Sequence, residues 1–386
     1  MQAFIATTYN SVNDISEKQW NDLSCSSSVY FSPEFLHAFE ISNPKINFKY
    51  IIISHNDKAI AMGLIQTIEL GVDAIIKNIK ISKQLKNIIH SLLCNNSIRI
   101  MFGGNIFLSG EHGVFICDNV NKTDALKAIA LEIKALAKQT KPLHAILLKD
   151  FLKHSLPLTS HFEDFGFTAM QVEPNMILEL DPNWKTYDDY KKALKSKYRV
   201  KVNKADKTSE TLIARFFSET DFATYRNELQ KLYENTIANA NFNAQVLNLD
   251  TYIELRQTYH ENFIVKAYFF EDKLIGFLTA LVNNNHLDAH FIGLNYELNK
   301  VHAIYPRILN DYVRIGIEKQ ASHINFGRTA SEIKTTIGAA PVDLTVYIRH
   351  KKPVINSIIR FFIKQVKIKD FKQHQAFKTK KEATIQ

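Results

Sequence analysis

The chain contains little cysteine, and its few cysteines are far apart. Cys25, Cys94 and Cys117 are the only three in 386 residues. They form neither the paired spacing of a zinc site nor a disulfide framework. No metal site is therefore predicted, and this cysteine usage favours a reducing, cytoplasmic environment.

Long apolar runs are also missing. No run approaches the ~18–20 residues that a membrane-spanning helix needs, and the first twenty residues lack a basic region followed by an apolar stretch. Neither a transmembrane helix nor a secretory signal is therefore expected. Glycine and proline are sparse as well, so no proline-rich linker marks a domain boundary. The remaining composition, 46% hydrophobic and 23% charged, is that of a globular protein long enough for two domains.

Charge is distributed unevenly along the chain. The formal net charge is +9, but residues 349–381 contain eleven Lys or Arg and one acid, Asp370, which gives 11 − 1 = +10. The rest of the chain therefore sums to 9 − 10 = −1. The sequence thus predicts a near-neutral body with a basic tail.

One pattern occurs twice, 215 positions apart. Residues 48–65 read FKYIIISHNDKAIAMGLI, and residues 263–280 read FIVKAYFFEDKLIGFLTA. Each copy has an apolar run, a polar Asp-Lys turn and a second apolar run, which predicts a β-hairpin. A repeated unit indicates two related domains.

The order hairpin, strand, helix, strand is predicted in both halves. The first half continues with a helix over 123–139 and a strand over 145–148. The second half continues with a strand over 287–292, a turn over 293–300, a helix over 304–315 and a strand over 323–326. Single helices are also predicted over 187–206 and 225–240. This order predicts an α/β (α+β) fold on a mixed sheet, with domains at 1–174 and 175–348 and a tail at 349–386.

Further stretches carry a resemblance to a known family. They are VYFSPEFLHAFE, the lysine-rich YKKALKSKYRVKVNKADK, EDKLIGFLTALV followed by His290 and by AIYPRILNDYVRIGIEKQ, and Phe326-Gly327-Arg328-Thr329 with Lys334 and Gly338 downstream. Together they cover most of the chain. On these residues the chain resembles the FemAB-like and BioF2-like branch of the acyl-CoA N-acyltransferase (GNAT-like) superfamily.

The resemblance implies tandem duplicated GNAT-like domains with the activity mainly in the second. It further implies N-acyl transfer from acyl-CoA, or from an acyl carrier protein, to an amine of an envelope or lipid precursor, an amino sugar or an amino acid. Acyl-CoA would be a co-substrate, and no tightly bound cofactor is expected. An aminoacyl-tRNA-dependent FemAB-type peptidyltransferase and a non-catalytic binding protein that retains the fold are the alternatives.

Amine acylation requires a base for the amine proton and an acid for the leaving group. His290 ends a strand at the predicted domain centre, and Glu297 follows it, so either could be the base. Tyr305 is the candidate acid, and Tyr296 is a further candidate that is assigned to substrate binding. The structural alternative for His290 is a histidine that is satisfied within the fold.

Cofactor binding is assigned to Lys300 and Ala303, before the helix that follows the central strand. Members of this superfamily that use CoA place a glycine-rich loop there, so that backbone N–H groups can approach a pyrophosphate. The segment 298–303 contains no glycine. Helix polarity and the Lys300 charge remain available, but close backbone approach is harder without glycine.

Substrate binding is assigned to Arg199, Arg328 and Lys334 in addition to Tyr296. The Arg328 guanidinium could clamp a carboxylate or a phosphate, or it could form a structural pair with Glu332. The lysines around Arg199 could meet phosphates in a cleft or an RNA acceptor stem, or they could form a solvated face.

The tail has the pattern of a basic amphipathic helix. One predicted face carries apolar side chains, and the other carries basic ones: Ile355, Ile358, Ile359, Phe362 and Val366 against Arg360, Lys364 and Lys367. Such a helix suits the anionic cytoplasmic leaflet, which would make the protein peripheral to the inner membrane face. Docking on the protein's own body and nucleic-acid binding are the alternatives.

Overall fold

The structure is a computed structural model that describes residues 4–23, 28–71, 97–239, 245–363, 368 and 370–378. Some residues used in the sequence analysis lie outside the described residues: Cys25, Cys94, Lys364, Val366 and Lys367. The side chain of Phe362 is not described either.

The strands and helices, numbered along the chain, have the following bounds. The strands are β1 (Ile5–Tyr9), β2 (Asn47–His55), β3 (Lys58–Gly71), β4 (Ser97–Gly103), β5 (Val114–Ile116), β6 (Ala145–Leu152), β7 (Thr168–Glu179), β8 (Ile213–Phe216), β9 (Phe263–Phe270), β10 (Lys273–Asn283), β11 (His286–Leu294), β12 (His323–Asn325) and β13 (Ala340–His350). The helices are α1 (Glu17–Leu23), α2 (Pro33–Ser42), α3 (Lys122–Gln139), α4 (Leu156–Thr159), α5 (Tyr187–Ala193), α6 (Ser196–Thr208), α7 (Glu219–Thr224), α8 (Arg226–Ala238), α9 (Asp250–Tyr259), α10 (Tyr296–His302), α11 (Ile304–Glu318), α12 (Ser331–Thr335) and α13 (Pro353–Ile363).

The chain divides into two compact units. Unit 1 comprises 1–172, 240–247 and 343–368, and unit 2 comprises 173–239, 248–342 and 369–386. The boundary predicted between 174 and 175 lies two residues from the first division. The predicted tail is split between the units, because β13 pairs with β6 in unit 1, whereas Ala376 accepts a hydrogen bond from Lys195 N–H in unit 2 (2.9 Å).

Each unit has a mixed sheet, which confirms the predicted fold class. In unit 1 the strand order is β1-β2-β3-β4-β6-β13, with β5 paired to β3. In unit 2 the order is β7-β12-β11-β10-β9-β8. The neighbouring strands of each unit pair antiparallel, with two exceptions: β4 runs parallel to β6, and β11 runs parallel to β12.

The two predicted hairpins are present and share one register. Phe48 pairs with Gln66 in β2–β3, and Phe263 pairs with Leu281 in β9–β10, so the 215-residue offset holds on both strands. The turn residues Asn56-Asp57 and Glu271-Asp272 all have positive φ, between 46° and 61°. Two-residue turns of this kind match the twist of paired strands. The hairpin prediction is therefore confirmed.

Each hairpin leads into a strand, a helix and a second strand parallel to the first. In unit 1 this is β4, α3 and β6, and in unit 2 it is β11, α11 and β12. Helix α3 starts where Asn121 Oδ1 accepts from Asp124 N–H (3.2 Å), and its apolar face is buried through Leu126, Ile129 and Ile133. The sequence predicted this helix within one residue, since both its cap and its 3.6-residue period are local.

Two sequence predictions of secondary structure were wrong. The single helix predicted over 187–206 is broken into α5 and α6, because Leu194 is extended (φ −72°, ψ 143°) and forms a β-bridge with Phe377. The turn predicted over 293–300 contains helix α10, which Asn295 caps by accepting from Leu298 N–H (3.1 Å).

Candidate functional site

In unit 2 the two parallel strands separate early. Pairing between β11 and β12 is confined to Leu287–Ile324 and Asp288–Asn325. In the second of these pairs the side chains also bond, because Asn325 Nδ2 donates to Asp288 Oδ1 (3.0 Å). In unit 1, by contrast, β4 and β6 pair at four positions as far as Gly103, the last residue of β4. An opening at the carboxyl ends of parallel strands is where α/β sheets bind ligands.

A β-bulge lies just beyond this separation. The register between β10 and β11 shifts so that His290 and Phe291 together oppose Thr279. Thr279 Oγ1 donates to Phe291 O (2.7 Å), Phe291 N–H donates to Tyr252 Oη (3.3 Å), and Tyr312 Oη donates to Thr279 O (2.9 Å). Three side-chain hydroxyls thus hold the bulge where regular strand pairing is interrupted.

His290 and α11 lie on opposite faces of the unit 2 sheet. Ala289 and Ile292 pack in the hydrophobic cluster that contains α11. The His290 ring is half-buried beside Tyr252 (6.0 Å) and Phe263 (5.9 Å between centroids). The sequence predicted that His290 ends a strand at the centre of the second domain; this was wrong about the strand end, because β11 continues past the bulge to Leu294 and His290 is a bulge residue next to the strand opening.

The loop that follows β12 has an unusual backbone. Gly327, Thr329 and Ala330 have φ values of 66°, 68° and 48°. This region is costly for a β-branched residue such as Thr329, and such strain persists only where surrounding contacts hold it. Arg328, the predicted carboxylate or phosphate ligand, is carried by this loop.

Lys334 supplies three of the contacts that hold the loop. It is buried, and its Nζ donates to the carbonyl oxygens of Phe326 (2.8 Å), Gly327 (3.3 Å) and Arg328 (2.8 Å). The sequence assigned Lys334 to substrate binding, whereas here its three donors meet three loop carbonyls. Burial lowers the pKa of Lys334 to about 7, so the contacts keep a partly charged group in the interior.

Replacing Lys334 by methionine is expected to destabilise the protein by about 2–4 kcal/mol, because the carbonyls of Phe326 and Arg328 lose the Lys334 donor and the Gly327 carbonyl keeps only Met176 N–H (3.1 Å). The folded pKa of about 7 lies below the unfolded value of about 10.4. The folded state therefore binds fewer protons between these values, and the contribution of Lys334 to stability rises with pH above 7. Urea unfolding should show a wider gap between wild type and variant at pH 9 than at pH 7.

The matched control for this variant is Lys273→Met. Lys273 is exposed at the start of β10, so this change should leave stability within about 0.5 kcal/mol at both pH values. If the difference in unfolding free energy between wild type and Lys334→Met stays constant or narrows from pH 7 to pH 9, the lowered pKa of Lys334 is contradicted.

A groove of about 580 Å³ lies on the α11 side of unit 2. Its walls come from α6, the junction of α10 and α11, α12 and the tail segment near His374. Among the described residues, its lining contains three lysines, Lys201, Lys204 and Lys300, and one acid, Glu332, which pairs with His374 (3.5 Å). The groove is therefore positively charged and opens at the N-terminus of α11, where helix polarity also favours an anion.

The groove contains both residues that the sequence assigned to a cofactor, Lys300 and Ala303. Ala303 joins α10 to α11 in the left-handed conformation (φ 48°, ψ 42°). This conformation is usually taken by glycine, and it costs roughly 1–2 kcal/mol for other residues. The chain thus makes a glycine-like turn before α11 without a glycine.

The two candidate acids are neighbours at this end of α11. Burial and then the proximity of Tyr296 raise the pKa of Tyr305, so its phenol stays protonated at neutral pH and can donate a proton. Tyr296 is 40% exposed, and burial of its remainder raises its pKa as well. Glu297, the second candidate base, is exposed in the first turn of α10.

Some residues of the site were missed by the sequence analysis. Arg199 was named, but it is not among the described residues that line the groove, whereas Lys201 and Lys204 of the same helix are. At 100° per residue these two lysines lie on roughly the opposite side of α6 from Arg199. The hydroxyls around the bulge were missed too, although Thr279 is a hydroxyl residue within an apolar run.

Helix α11 is fixed in unit 2 by a buried carboxylate. Asp311 is fully buried, and it accepts from Tyr268 Oη (2.8 Å), Lys266 Nζ (3.0 Å), Arg307 Nε (3.1 Å) and Arg314 (2.6 Å). Burial alone would raise the pKa of Asp311, but the three cations outweigh it and lower the pKa. This network holds in place the helix that carries Tyr305 and Tyr312.

The fold defined by these units is a duplicated GNAT-like fold of the FemAB-like type, which confirms the resemblance at the level of the fold. No protein-family model and no curated protein matches the sequence. Similar solved structures include FemX, with a TM-score of 0.53 and 11% identity over 88% of this chain and 96% of FemX.

Two further structures have the same fold. A tandem GNAT protein from the clavulanic acid biosynthesis pathway, solved without AcCoA, has a TM-score of 0.55 and 8% identity over 91% of this chain and 99% of its own. L-PGS from Bacillus licheniformis has a TM-score of 0.52 and 10% identity over 90% and 97%. At these identities the likeness defines the fold, and function has to be argued from the site.

Proposed function

We propose that the chain is an N-acyltransferase that moves an acyl group from acyl-CoA, or from an acyl carrier protein, to an amine. The observation that carries this proposal is the separation of β11 from β12 beside the bulge at His290 and Phe291. A lysine-lined groove lies on the α11 face and His290 lies on the other. The opening between the strands is the passage by which a donor on one face reaches an acceptor on the other.

The residues are assigned as follows. The donor's phosphates bind Lys201, Lys204 and Lys300 in the groove, at the positive end of α11. The acceptor amine approaches from the His290 face, and His290 removes its proton as the nitrogen attacks the carbonyl carbon. The new C–N bond forms as the C–S bond breaks, and the departing thiolate takes a proton from Tyr305. Arg328, on its strained loop, binds an anionic group of the substrate.

The groove assignment predicts a charge-dependent affinity for CoA. Reversing Lys201 and Lys300 to glutamate is expected to weaken CoA binding about tenfold or more, which corresponds to ~1.4 kcal/mol or more. Both lysines are exposed, so the changes should not disturb folding. Titration calorimetry with CoA checks this, with the double variant Lys58→Glu, Lys273→Glu as the control of equal charge change, since both lysines are exposed and lie outside the groove.

If the double variant binds CoA as tightly as the wild type does, the phosphates do not lie in this groove. If wild type shows no affinity for CoA, the donor is of another kind. The observation that favours an aminoacyl-tRNA donor is that helix α10 occupies the position of the glycine-rich loop. Transfer of a labelled acyl group that ribonuclease abolishes would identify that donor.

For the acceptor we propose an amine of an envelope or lipid precursor, with an amino sugar or an amino acid as the alternatives. The support is the basic tail, whose charge of +10 over residues 349–381 suits a reaction at an anionic surface. The same proposal places the protein in the cytoplasm and in peripheral contact with the inner membrane face. The alternative is a non-catalytic binding protein, and the activity measurements on wild type and on the His290 variant distinguish it from an enzyme.

A further inference from the structure

Helix α13 exposes apolar side chains to solvent. Val354 is 74% exposed, Ile358 is 52% exposed and Phe361 is 64% exposed, and Ile355 adds to the same surface. Single exposed apolar residues are common, but four on one short helix form a patch.

The patch points away from the body of unit 1. Asn356 anchors the helix, because its Oδ1 accepts from His350 N–H (2.8 Å) and its Nδ2 donates to Gly166 O (2.9 Å). Ile363, on the same side as Asn356, is buried. At 100° per residue, Val354, Ile358 and Phe361 fall within about 60° of one another and roughly opposite these anchors.

The charged residues of helix α13 and of the segment just before it are basic. Lys352 and Arg360 are exposed, and residues 349–363 contain no acid. Arg349, Lys134 and Lys138 form a further group of cations before the helix. Their proximity shows in the pKa of Lys134, which is lowered by burial and then by the charges of Arg349 and Lys138. Helix α13 therefore combines an exposed apolar face with basic residues on its other sides and at its start.

We propose that α13 is a docking element for an anionic lipid bilayer, with its exposed apolar face inserted at the headgroup level. At 11 residues the helix is about 16 Å long, too short to cross a bilayer, and among the described residues no helix is long and apolar enough to span a membrane. Such a helix lies in the plane of the interface. This inference concerns unit 1 and does not depend on acyl transfer.

A second copy of the chain suits this face less well. Four partly exposed side chains offer a few hundred Å² of apolar surface, well below the ~800 Å² per partner of a stable interface. Two such faces would also bring like charges together, which disfavours self-association. Phospholipid headgroups, in contrast, supply the opposite charge.

The experiment is sedimentation of the full chain with vesicles of phosphatidylcholine containing phosphatidylglycerol, and with vesicles of phosphatidylcholine alone. We expect binding to the anionic vesicles that weakens with salt. The double variant Val354→Ser, Ile358→Glu should lower the partition about tenfold or more. Leu131→Glu is the matched control, because Leu131 is a 58% exposed residue of α3 in the same unit, and it should bind as wild type does.

Unchanged vesicle binding by the double variant would overturn the proposal, as would equal binding to neutral and anionic vesicles. A dimer that Ile358→Glu dissociates, seen by light scattering without lipid, would instead make the face an interface between copies. The CoA titration needs no vesicles, so a negative result here leaves the donor groove to be judged by its own test.

Discussion

The variant His290→Ala is expected to lower acyl-transfer turnover by about 10²–10⁴-fold, the usual contribution of a positioned general base. His290 is a half-buried residue of a bulge that three hydroxyls hold, beside the point where β11 leaves β12. A bulge re-aims side chains at functional sites. Because the groove lies on the other face, the loss should appear in kcat, with little change in the affinity for CoA.

The measurement is transfer of a labelled acyl group from acyl-CoA to a panel of amines. His286→Ala is the control on the same strand, since His286 lies at the far end of β11, where it stacks on His323 (4.7 Å). Its turnover should stay close to that of wild type. Because His286 also pairs with Asp288 (3.3 Å), the unfolding transition of each variant is recorded alongside and separates a loss of chemistry from a loss of folding.

Other outcomes reassign the chemistry. Full activity in His290→Ala together with a large loss in Glu297→Ala would move the base to the exposed first turn of α10. Full activity in both variants would mean that the proposed site is wrong. Absence of transfer by wild type with every amine and donor, despite tight ligand binding, would favour a non-catalytic binding protein.

The parts of the fold that sequence predicted depend on local signals. The hairpins are encoded by apolar runs around turns whose Asn-Asp and Glu-Asp residues take positive φ, so their register follows from a few neighbouring residues. Helix α3 is similar, because its cap at Asn121 and its apolar period lie within eighteen residues of each other. Such features can be read from the chain without knowledge of its partners in space.

The parts that sequence did not predict depend on distant partners. The break between α5 and α6 exists because Leu194 pairs with Phe377 at the other end of the chain. The lysine-rich segment was predicted as one helix. Which of its lysines line the groove could not be predicted, because that depends on where α11 packs against α6. Lys334 could be picked out by its sequence context, but its bonds to three loop carbonyls required coordinates.

The same reasoning explains why the bulge was missed. A single hydroxyl residue, Thr279, interrupts an apolar strand, and that is a weak local signal. Its meaning comes from Tyr252 on α9 and Tyr312 on α11, which bond to the backbone on either side of the bulge. The resemblance implied activity mainly in the second domain, and the two copies differ physically at this point: β11 and β12 pair at two positions, whereas β4 and β6 pair at four.

The variant Asp311→Ala is expected to destabilise the protein by about 3–5 kcal/mol, because it leaves a buried group of cations without their carboxylate. Lys266, Arg307 and Arg314 all lie within 3.1 Å of Asp311, and Tyr268 loses its acceptor as well. Urea unfolding measures the loss. Asp118→Ala is the control, since Asp118 pairs with Lys122 on an exposed surface, and its unfolding midpoint should stay close to that of wild type.

The pH dependence of this variant has a defined sign. The three cations hold the pKa of Asp311 below its usual value, so the stability that the carboxylate contributes is fully present above the unfolded pKa of about 3.9. It is lost as pH falls through the lower, folded pKa. The gap in unfolding free energy between wild type and Asp311→Ala should therefore be constant from pH 7 to pH 5 and shrink below about pH 4, and a gap that shrinks already at pH 6 would contradict the network.

Because α11 carries both Tyr312 at the bulge and the groove at its N-terminus, a variant that folds with α11 displaced should lose CoA affinity and turnover together. His290→Ala, in contrast, should lose turnover alone.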